Sequence, residues 1–128
     1  MQQKSKNGSF LKHRKESFLF ALKGLRFLFN TQINAKIELV AVFIVILVGI
    51  FLHLSKVEWI IIAAAIFIVL ISETINTLVE MICDRISTEY DQKIGVIKDL
   101  SSGMVLLSVL LSILTAGIIF IPKLLIFF

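Results

Sequence analysis

The hydrophobic and polar positions of this 128-residue chain fall into four segments with helical character. In residues 10–30 apolar and basic positions recur with a period near 3.6, which is typical of an amphipathic helix. Three longer apolar stretches follow at 35–54, 57–83 and 100–121, and Pro122 marks the expected end of the last. Each stretch is long enough to supply the ~20 residues that a helix needs to cross a bilayer. The pattern predicts an amphipathic helix and three transmembrane helices within one domain, residues 1–128.

The composition indicates that lipid is the solvent of this chain. Hydrophobic residues make up 58% of it and charged residues 17%, and the mean hydropathy is +0.97. Soluble domains have about 45–50% apolar and about 25% charged residues, and a chain this short cannot bury the excess in a water-soluble core. The predicted fold class is therefore all-α and integral membrane, with an N-terminal surface helix before the three spans. A soluble, partner-binding helix remains the alternative for residues 10–30.

The basic residues predict how the chain is oriented. Eight of the thirteen Lys and Arg residues lie in residues 1–36, beside a single acid, Glu16. Next to apolar spans, such a basic end is expected to bind anionic lipid headgroups rather than nucleic acid. Three spans put residues 1–36 and the connection 85–98 on one side with eleven basic residues, and leave Lys56 and Lys123 on the other. By the positive-inside rule, the N-terminus and the connection 85–98 are expected in the cytoplasm, where ATP is available.

The second span carries an unusual polar face. Four polar side chains recur along it at spacings of three, four and four: Glu73, Asn76, Glu80 and Asp84. Residues so spaced share one side of a helix. An acidic residue at the centre of a spanning helix costs about 2.5–3.5 kcal/mol on insertion scales, so this face is expected to meet another helix, a metal ion or a water-filled cleft. Lys98 and Asp99, which open the next span, are expected at the same membrane surface. Spacing alone leaves a polar helix–helix seam, an ion path and catalysis open.

The segment from Glu73 to Gly103, ETINTLVEMICDRISTEYDQKIGVIKDLSSG, resembles the signature of the prokaryotic diacylglycerol kinase family, which includes the undecaprenol kinases. That signature is E-x-x-N-S/T-x-x-E-x-x-x-D, then a connection, then K-D before small residues, and every position is present in register. The resemblance continues upstream through LKGLR at 22–26 and NAKI at 34–37, and it covers about residues 10–121. It implies a three-span subunit with a surface helix, a homotrimer with sites between protomers, and a place in the bacterial cytoplasmic membrane.

The resemblance also implies roles for individual residues. Glu73 matches the general base, Glu80 matches a ligand for the Mg²⁺ that accompanies ATP, and Asn76 matches a residue that orients both. Contacts to ATP are implied for Lys98, Asp99, Asn76, Asp84 and Lys23. Gln32 stands where some members have a metal-binding glutamate, and its amide oxygen is a weaker, uncharged ligand. Glu38, with no other acid close in the sequence, is a weaker substitute.

The function that the resemblance implies is ATP-dependent phosphorylation of a membrane lipid, diacylglycerol to phosphatidic acid. Undecaprenol as the substrate, giving undecaprenyl phosphate, is the alternative with the same chemistry. The chain contains no P-loop, but phosphoryl transfer depends on positioning and charge neutralisation, which other arrangements can supply. A small oligomeric ion or drug transporter is the rival class, because such proteins also carry intramembrane glutamates but do not need the Lys98–Asp99 pair. A membrane scaffold without chemistry is the third.

Overall fold

The computed structural model describes residues 3–127, and these form four α-helices. They are α1 (Gln3–Thr31), α2 (Ile33–Phe51), α3 (Lys56–Ile86) and α4 (Gln92–Phe127). The helices α2, α3 and α4 are each long and apolar enough to cross a membrane. The predicted all-α membrane fold, with one helix before three candidate spans, is thereby confirmed.

The chain divides into two compact units, with the boundary between Ile33 and Asn34. The first unit contains α1, along which large apolar side chains such as Phe18 and Leu22 are exposed. Two of its basic side chains lie over aromatic rings of the same helix. The guanidinium carbon of Arg14 is 4.9 Å from the ring centre of Phe10, and Lys23 Nζ is 5.5 Å from the ring centre of Phe20. Exposed apolar and basic groups on one helix are typical of a helix that binds a membrane surface.

Within the second unit, a tight connection joins α2 to α3. Ser55 caps α3: its hydroxyl accepts the N–H of Glu58 at 3.3 Å, and the Glu58 carboxylate accepts the N–H of Ser55 at 2.7 Å. This capping box satisfies two backbone N–H groups that the helix itself cannot pair. His53 adopts a positive φ of 51°, so the chain reverses within residues 52–55. The connection is therefore short and well defined.

The helices α3 and α4 pack against each other in an antiparallel arrangement. Four polar contacts join them: Glu58–Lys123, Ser72–Ser108, Asn76–Ser101 and Asp84–Lys98. The nearer a residue lies to the start of α3, the nearer its partner lies to the end of α4, as in Glu58–Lys123 and Asp84–Lys98. The contacts span most of α3, so they fix the register of the two helices along their length.

A small apolar core lies where α3 begins and α4 ends, and we call this region the capped end. Its buried members are Leu52, Leu54, Ile62, Ile119 and Phe120, with Trp59 partly buried against them. Gly49 of α2 is buried beside that indole, and a Cβ at Gly49 would lie 2.7 Å from Trp59 Cη2. Because glycine has no side chain, α2 can approach the ring this closely. The capped end thus packs all three long helices together.

The last helix continues beyond the proline that was expected to end it. Pro122 lies inside α4, which runs on to Phe127. Proline removes one backbone donor, but spanning helices tolerate it because neighbouring groups and local adjustments satisfy the freed carbonyl. The prediction that the helix stops at Pro122 is therefore wrong.

The connection between α3 and α4 is also shorter than the predicted 85–98. It comprises only residues 87–91, because α3 runs to Ile86 and α4 begins at Gln92. Asp91 starts α4: its carboxylate accepts the N–H groups of Lys93 at 2.7 Å and Ile94 at 3.3 Å, as helix-capping residues do. The first turns of α4 are polar, which is why hydropathy alone assigned them to a loop.

Candidate active site

The other end of the α3–α4 pair is polar, and we call it the polar end. It comprises residues 72–84 of α3 and residues 98–108 of α4. Six of its polar side chains are buried: Ser72, Glu73, Asn76, Thr77, Ser101 and Ser108. Burying polar groups costs free energy unless they find hydrogen-bond partners. Their partners therefore show which groups are structural and which remain available for chemistry.

Glu73 is the most buried of the charged side chains that the structure describes, with 1% of its surface exposed. One carboxylate oxygen, Oε2, is buried without a hydrogen-bond partner. Thr77 does not supply one, since its hydroxyl donates to the backbone carbonyl of Glu73 at 2.9 Å. The side chain of Asn34, at the start of α2, interacts with the carboxylate as a hydrogen-bond donor. Buried polar atoms without a partner are rare in proteins, and Glu73 Oε2 is free to accept a proton.

Asn76 connects Glu80 to α4. Its Nδ2 donates to Glu80 Oε1 at 3.3 Å, and its Oδ1 accepts from the Ser101 hydroxyl at 2.7 Å. The carboxylates of Glu80 and Glu73 are close enough to interact electrostatically. The structure therefore brings Glu73, Asn76 and Glu80 together, as their helical spacing predicts. Ser101 was not singled out from the sequence, because one serine in an apolar helix gives no distinctive signal.

Asp84 and Lys98 form an ion pair at the rim of this group. The distance between Lys98 Nζ and Asp84 Oδ1 is 2.7 Å, and the side chains are 38% and 68% exposed, respectively. An exposed ion pair contributes little to stability, so little free energy holds Lys98 to this partner. A phosphate group could therefore take the place of Asp84.

Three further residues were predicted for the site: Asp99, Lys23 and Gln32. Asp99 is exposed on a different face of α4, beside Val96 and Gly103. Lys23 belongs to α1 and is exposed. Gln32 is half-buried at the break between α1 and α2, where its N–H donates to the carbonyl of Leu28 at 2.9 Å. Since Lys23 and Gln32 lie in the first compact unit, their suggested roles stay predictions.

Glu38 is a candidate that sequence reasoning underrated. It is half-buried on α2, its Oε2 has no hydrogen-bond partner, and its carboxylate interacts electrostatically with Glu73. It also lines an apolar groove with Val69 and Leu70 of α3. Sequence distance hid this proximity. The useful signal was present nevertheless, because an acid in the second turn of a spanning helix needs a compensating environment.

The donor set of the polar end fits part of a magnesium site. Mg²⁺ prefers oxygen ligands, and it is often held by one or two carboxylates together with substrate phosphates and water. Glu80 offers such a carboxylate, and Asn76 holds one of its oxygens. Within residues 3–127, however, no three or more His, Cys, Asp and Glu side chains are close enough together to hold a metal ion. Glu80 and Asn76 therefore provide part of a ligand set.

Known proteins are similar to this chain over most of its length. The family model described as prokaryotic diacylglycerol kinase matches residues 19–120. The diacylglycerol kinase of Escherichia coli (strain K12) is 27% identical over 96 residues, which cover 75% of this chain and 79% of the relative. The diacylglycerol kinase of Haemophilus influenzae is 31% identical over 111 residues, or 86% and 94% of the two chains. The undecaprenol kinase of Bacillus subtilis (strain 168) is 30% identical over 109 residues, or 85% and 89%.

Proposed function

This chain belongs to the prokaryotic diacylglycerol kinase family, and on that premise we propose that it uses ATP to phosphorylate diacylglycerol, giving phosphatidic acid. It is a multi-pass membrane protein and a lipid kinase, in keeping with its family and its three apolar helices. The choice of diacylglycerol is supported by the family description and by the relatives in Escherichia coli and Haemophilus influenzae. Undecaprenol is the second candidate, because the Bacillus subtilis relative is similar to the same degree.

The buried, unpaired carboxylate oxygen of Glu73 carries this proposal. Phosphorylation of a lipid alcohol requires a group that removes the hydroxyl proton. Glu73 Oε2 accepts that proton while the lipid oxygen forms a bond to the γ-phosphorus of ATP. The bond from that phosphorus to the bridging oxygen breaks, and ADP leaves with the electron pair. A positioned general base of this kind contributes about 10²–10⁴-fold to the rate.

The residues around Glu73 supply the nucleotide contacts of the proposed site. Lys98 exchanges Asp84 for phosphate oxygens, which its weak, exposed ion pair permits. Glu80, held by Asn76, provides a carboxylate ligand for Mg²⁺, which when bound neutralises charge on the phosphates. Further contacts to ATP are assigned to Asp99 and Lys23, and a weaker metal contact to Gln32.

Assembly and orientation form part of the same proposal. We assign a homotrimer, with the N-terminus and the connection 87–91 in the cytoplasm. Among the residues that the structure describes, no three His, Cys, Asp and Glu side chains of one chain lie together as a metal site, and Asp99 is exposed on α4. A neighbouring copy could complete the site. The transporter alternative is less well supported. Within one chain, an ion that passed the acids along the α3–α4 pair would meet the apolar core of the capped end.

The proposal is tested with purified protein in mixed micelles, using γ-labelled ATP and Mg²⁺. Diacylglycerol and undecaprenol are presented in separate, otherwise identical reactions. The expected result is label on diacylglycerol at a rate well above that on undecaprenol. Label on undecaprenol alone would reassign the substrate, and label on neither lipid would contradict the proposed reaction.

A further inference from the structure

Two serines of α4 contact α3 at the polar end and provide an internal comparison. Ser101 and Ser108 are seven residues apart, so they lie on the same face of the helix, and both are buried. Each hydroxyl also lies within 2.9 Å of the backbone carbonyl three residues earlier. They differ in the partner across the helix pair. Ser108 Oγ meets Ser72 Oγ at 2.6 Å, whereas Ser101 Oγ meets Asn76 Oδ1 at 2.7 Å.

The Ser101 contact determines which way the Asn76 amide points. An ionised carboxylate can only accept hydrogen bonds, so the amide nitrogen of Asn76 must face Glu80. The amide oxygen then faces Ser101, and that oxygen can also only accept. Ser101 must therefore donate its single hydroxyl proton to Asn76. The hydrogen bonds among Ser101, Asn76 and Glu80 therefore have one possible assignment of donors and acceptors.

Without the Ser101 hydroxyl, the Asn76 amide loses the donor that fixes its orientation. Asn76 is buried, so loss of this donor leaves its amide oxygen without the hydrogen bond that Ser101 supplies. Rotation of the amide would turn that oxygen towards the Glu80 carboxylate, where two acceptors repel each other. In the first case the Asn76 amide is no longer fixed from α4, and in the second the donor that holds Glu80 Oε1 in place is lost. The Ser72–Ser108 contact has no such consequence, because it involves no carboxylate.

We propose that Ser101 is a positioning residue, which acts through Asn76 to hold Glu80 in the orientation that binds the divalent cation of the nucleotide. This inference rests on the proposed function in one respect only, namely that Glu80 is a metal ligand. Ser101 itself touches neither the cation nor the substrate. Residues that support a metal ligand in this way typically change metal affinity by about 10–100-fold when they are lost.

The test compares Ser101→Ala with Ser108→Ala, since each removes one buried hydroxyl from the same face of α4. Binding of Mn²⁺ is measured by electron paramagnetic resonance on the full chain in micelles, in the presence of a non-hydrolysable ATP analogue. We expect Ser101→Ala to raise the Mn²⁺ dissociation constant by about 10–100-fold, and Ser108→Ala to change it less than about two-fold. Ser101→Cys, which fills the same space with a weak donor, should also weaken Mn²⁺ binding.

Equal Mn²⁺ affinity in the Ser101→Ala and Ser108→Ala proteins would overturn the inference. If Ser101→Ala does not fold, Ser101→Cys decides, and wild-type affinity in that variant would overturn it. Absence of Mn²⁺ binding by the wild-type protein would overturn it together with the metal role of Glu80.

Lipid phosphorylation is measured on the same samples, so that the two proposals can fail separately. If the wild-type protein phosphorylates lipid and both serine variants bind Mn²⁺ alike, the positioning role of Ser101 is contradicted and the proposed function is not. If the wild-type protein phosphorylates neither lipid, but only the Ser101 variants weaken Mn²⁺ binding, the proposed function is contradicted. The role of Ser101 in supporting the metal site then stands.

Discussion

The capped end and the polar end of the α3–α4 pair are built from the same two helices in opposite ways. At the capped end, apolar side chains such as Ile62 and Phe120 form the core. Two charged groups there pair with each other, with Lys123 Nζ 3.2 Å from Glu58 Oε2 and the same Glu58 closing the capping box. At the polar end, the interior contains hydroxyls, an amide and a carboxylate, and Glu73 keeps an oxygen without a partner.

This difference shows where the chain gains stability and where it gives stability up. Packing and paired charges hold the helices at the capped end. The polar end carries a group whose burial costs free energy and which the fold does not satisfy. Proteins retain such groups mainly where function requires them, so the contrast assigns structure to one end and chemistry to the other. Each of the following variants tests that division.

The largest effect is expected for Glu73→Gln. Glutamine keeps the size and polarity of the side chain but cannot act as the base, so turnover should fall by about 10²–10⁴-fold. ATP affinity should stay near that of the wild type. Steady-state kinetics in mixed micelles measure this, with Glu89→Gln in the exposed connection as the control. Turnover near the wild-type value would show that Glu73 is not the general base.

Glu80→Gln should produce the next largest effect. Loss of an anionic oxygen ligand weakens binding of a hard cation, so nucleotide binding should lose its dependence on Mg²⁺. Titration of an ATP analogue with and without Mg²⁺ measures this. Glu58→Gln, on the same helix at the capped end, should retain the dependence. Unchanged Mg²⁺-dependent affinity in Glu80→Gln would exclude the metal role.

Gly49→Ala should affect stability rather than chemistry. The new Cβ would lie 2.7 Å from Trp59 Cη2, and overpacking of this kind costs about 1–3 kcal/mol. The unfolding midpoint should fall, while turnover per folded molecule should stay the same. Gly117→Ala is the matched control, because its Cβ would meet Ile121 at an ordinary 3.7 Å. An equal midpoint in the two variants would show that the contact with Trp59 is not tight.

Gln32→Glu should have the smallest effect. If Gln32 contributes only a weak metal contact, a carboxylate at this position should leave turnover intact or strengthen metal binding. Turnover as a function of Mg²⁺ concentration tests this. Collapse of activity would show instead that Gln32 is needed as a neutral hydrogen-bonding group.

The sequence predicted the architecture well because hydropathy and charge act over long segments. Three apolar runs specify the helices that can span a membrane, and spacings of three and four placed Glu73, Asn76 and Glu80 together. Boundaries were less predictable. A proline such as Pro122 reads as a stop in water-soluble helices, and the polar first turns of α4 read as a loop.

The contacts between helices were beyond what the sequence could predict. The partner of Ser101 lies 25 positions earlier, and no periodicity within one helix indicates it. The proximity of Glu38 and Glu73 depends on how α2 packs beside α3, which follows from Gly49 and Trp59 at the capped end. Such placements are set by tertiary packing, so they appear only once the fold is known.

The division between the two ends is tested most directly by measuring turnover and unfolding midpoint on the same preparations of Glu73→Gln and Gly49→Ala. The account predicts that Glu73→Gln loses turnover by about 10²–10⁴-fold without a lower midpoint. It predicts that Gly49→Ala lowers the midpoint and keeps turnover per folded molecule. If Glu73→Gln keeps its turnover, or if turnover per folded molecule collapses in Gly49→Ala, chemistry and stability are not divided between the polar and capped ends.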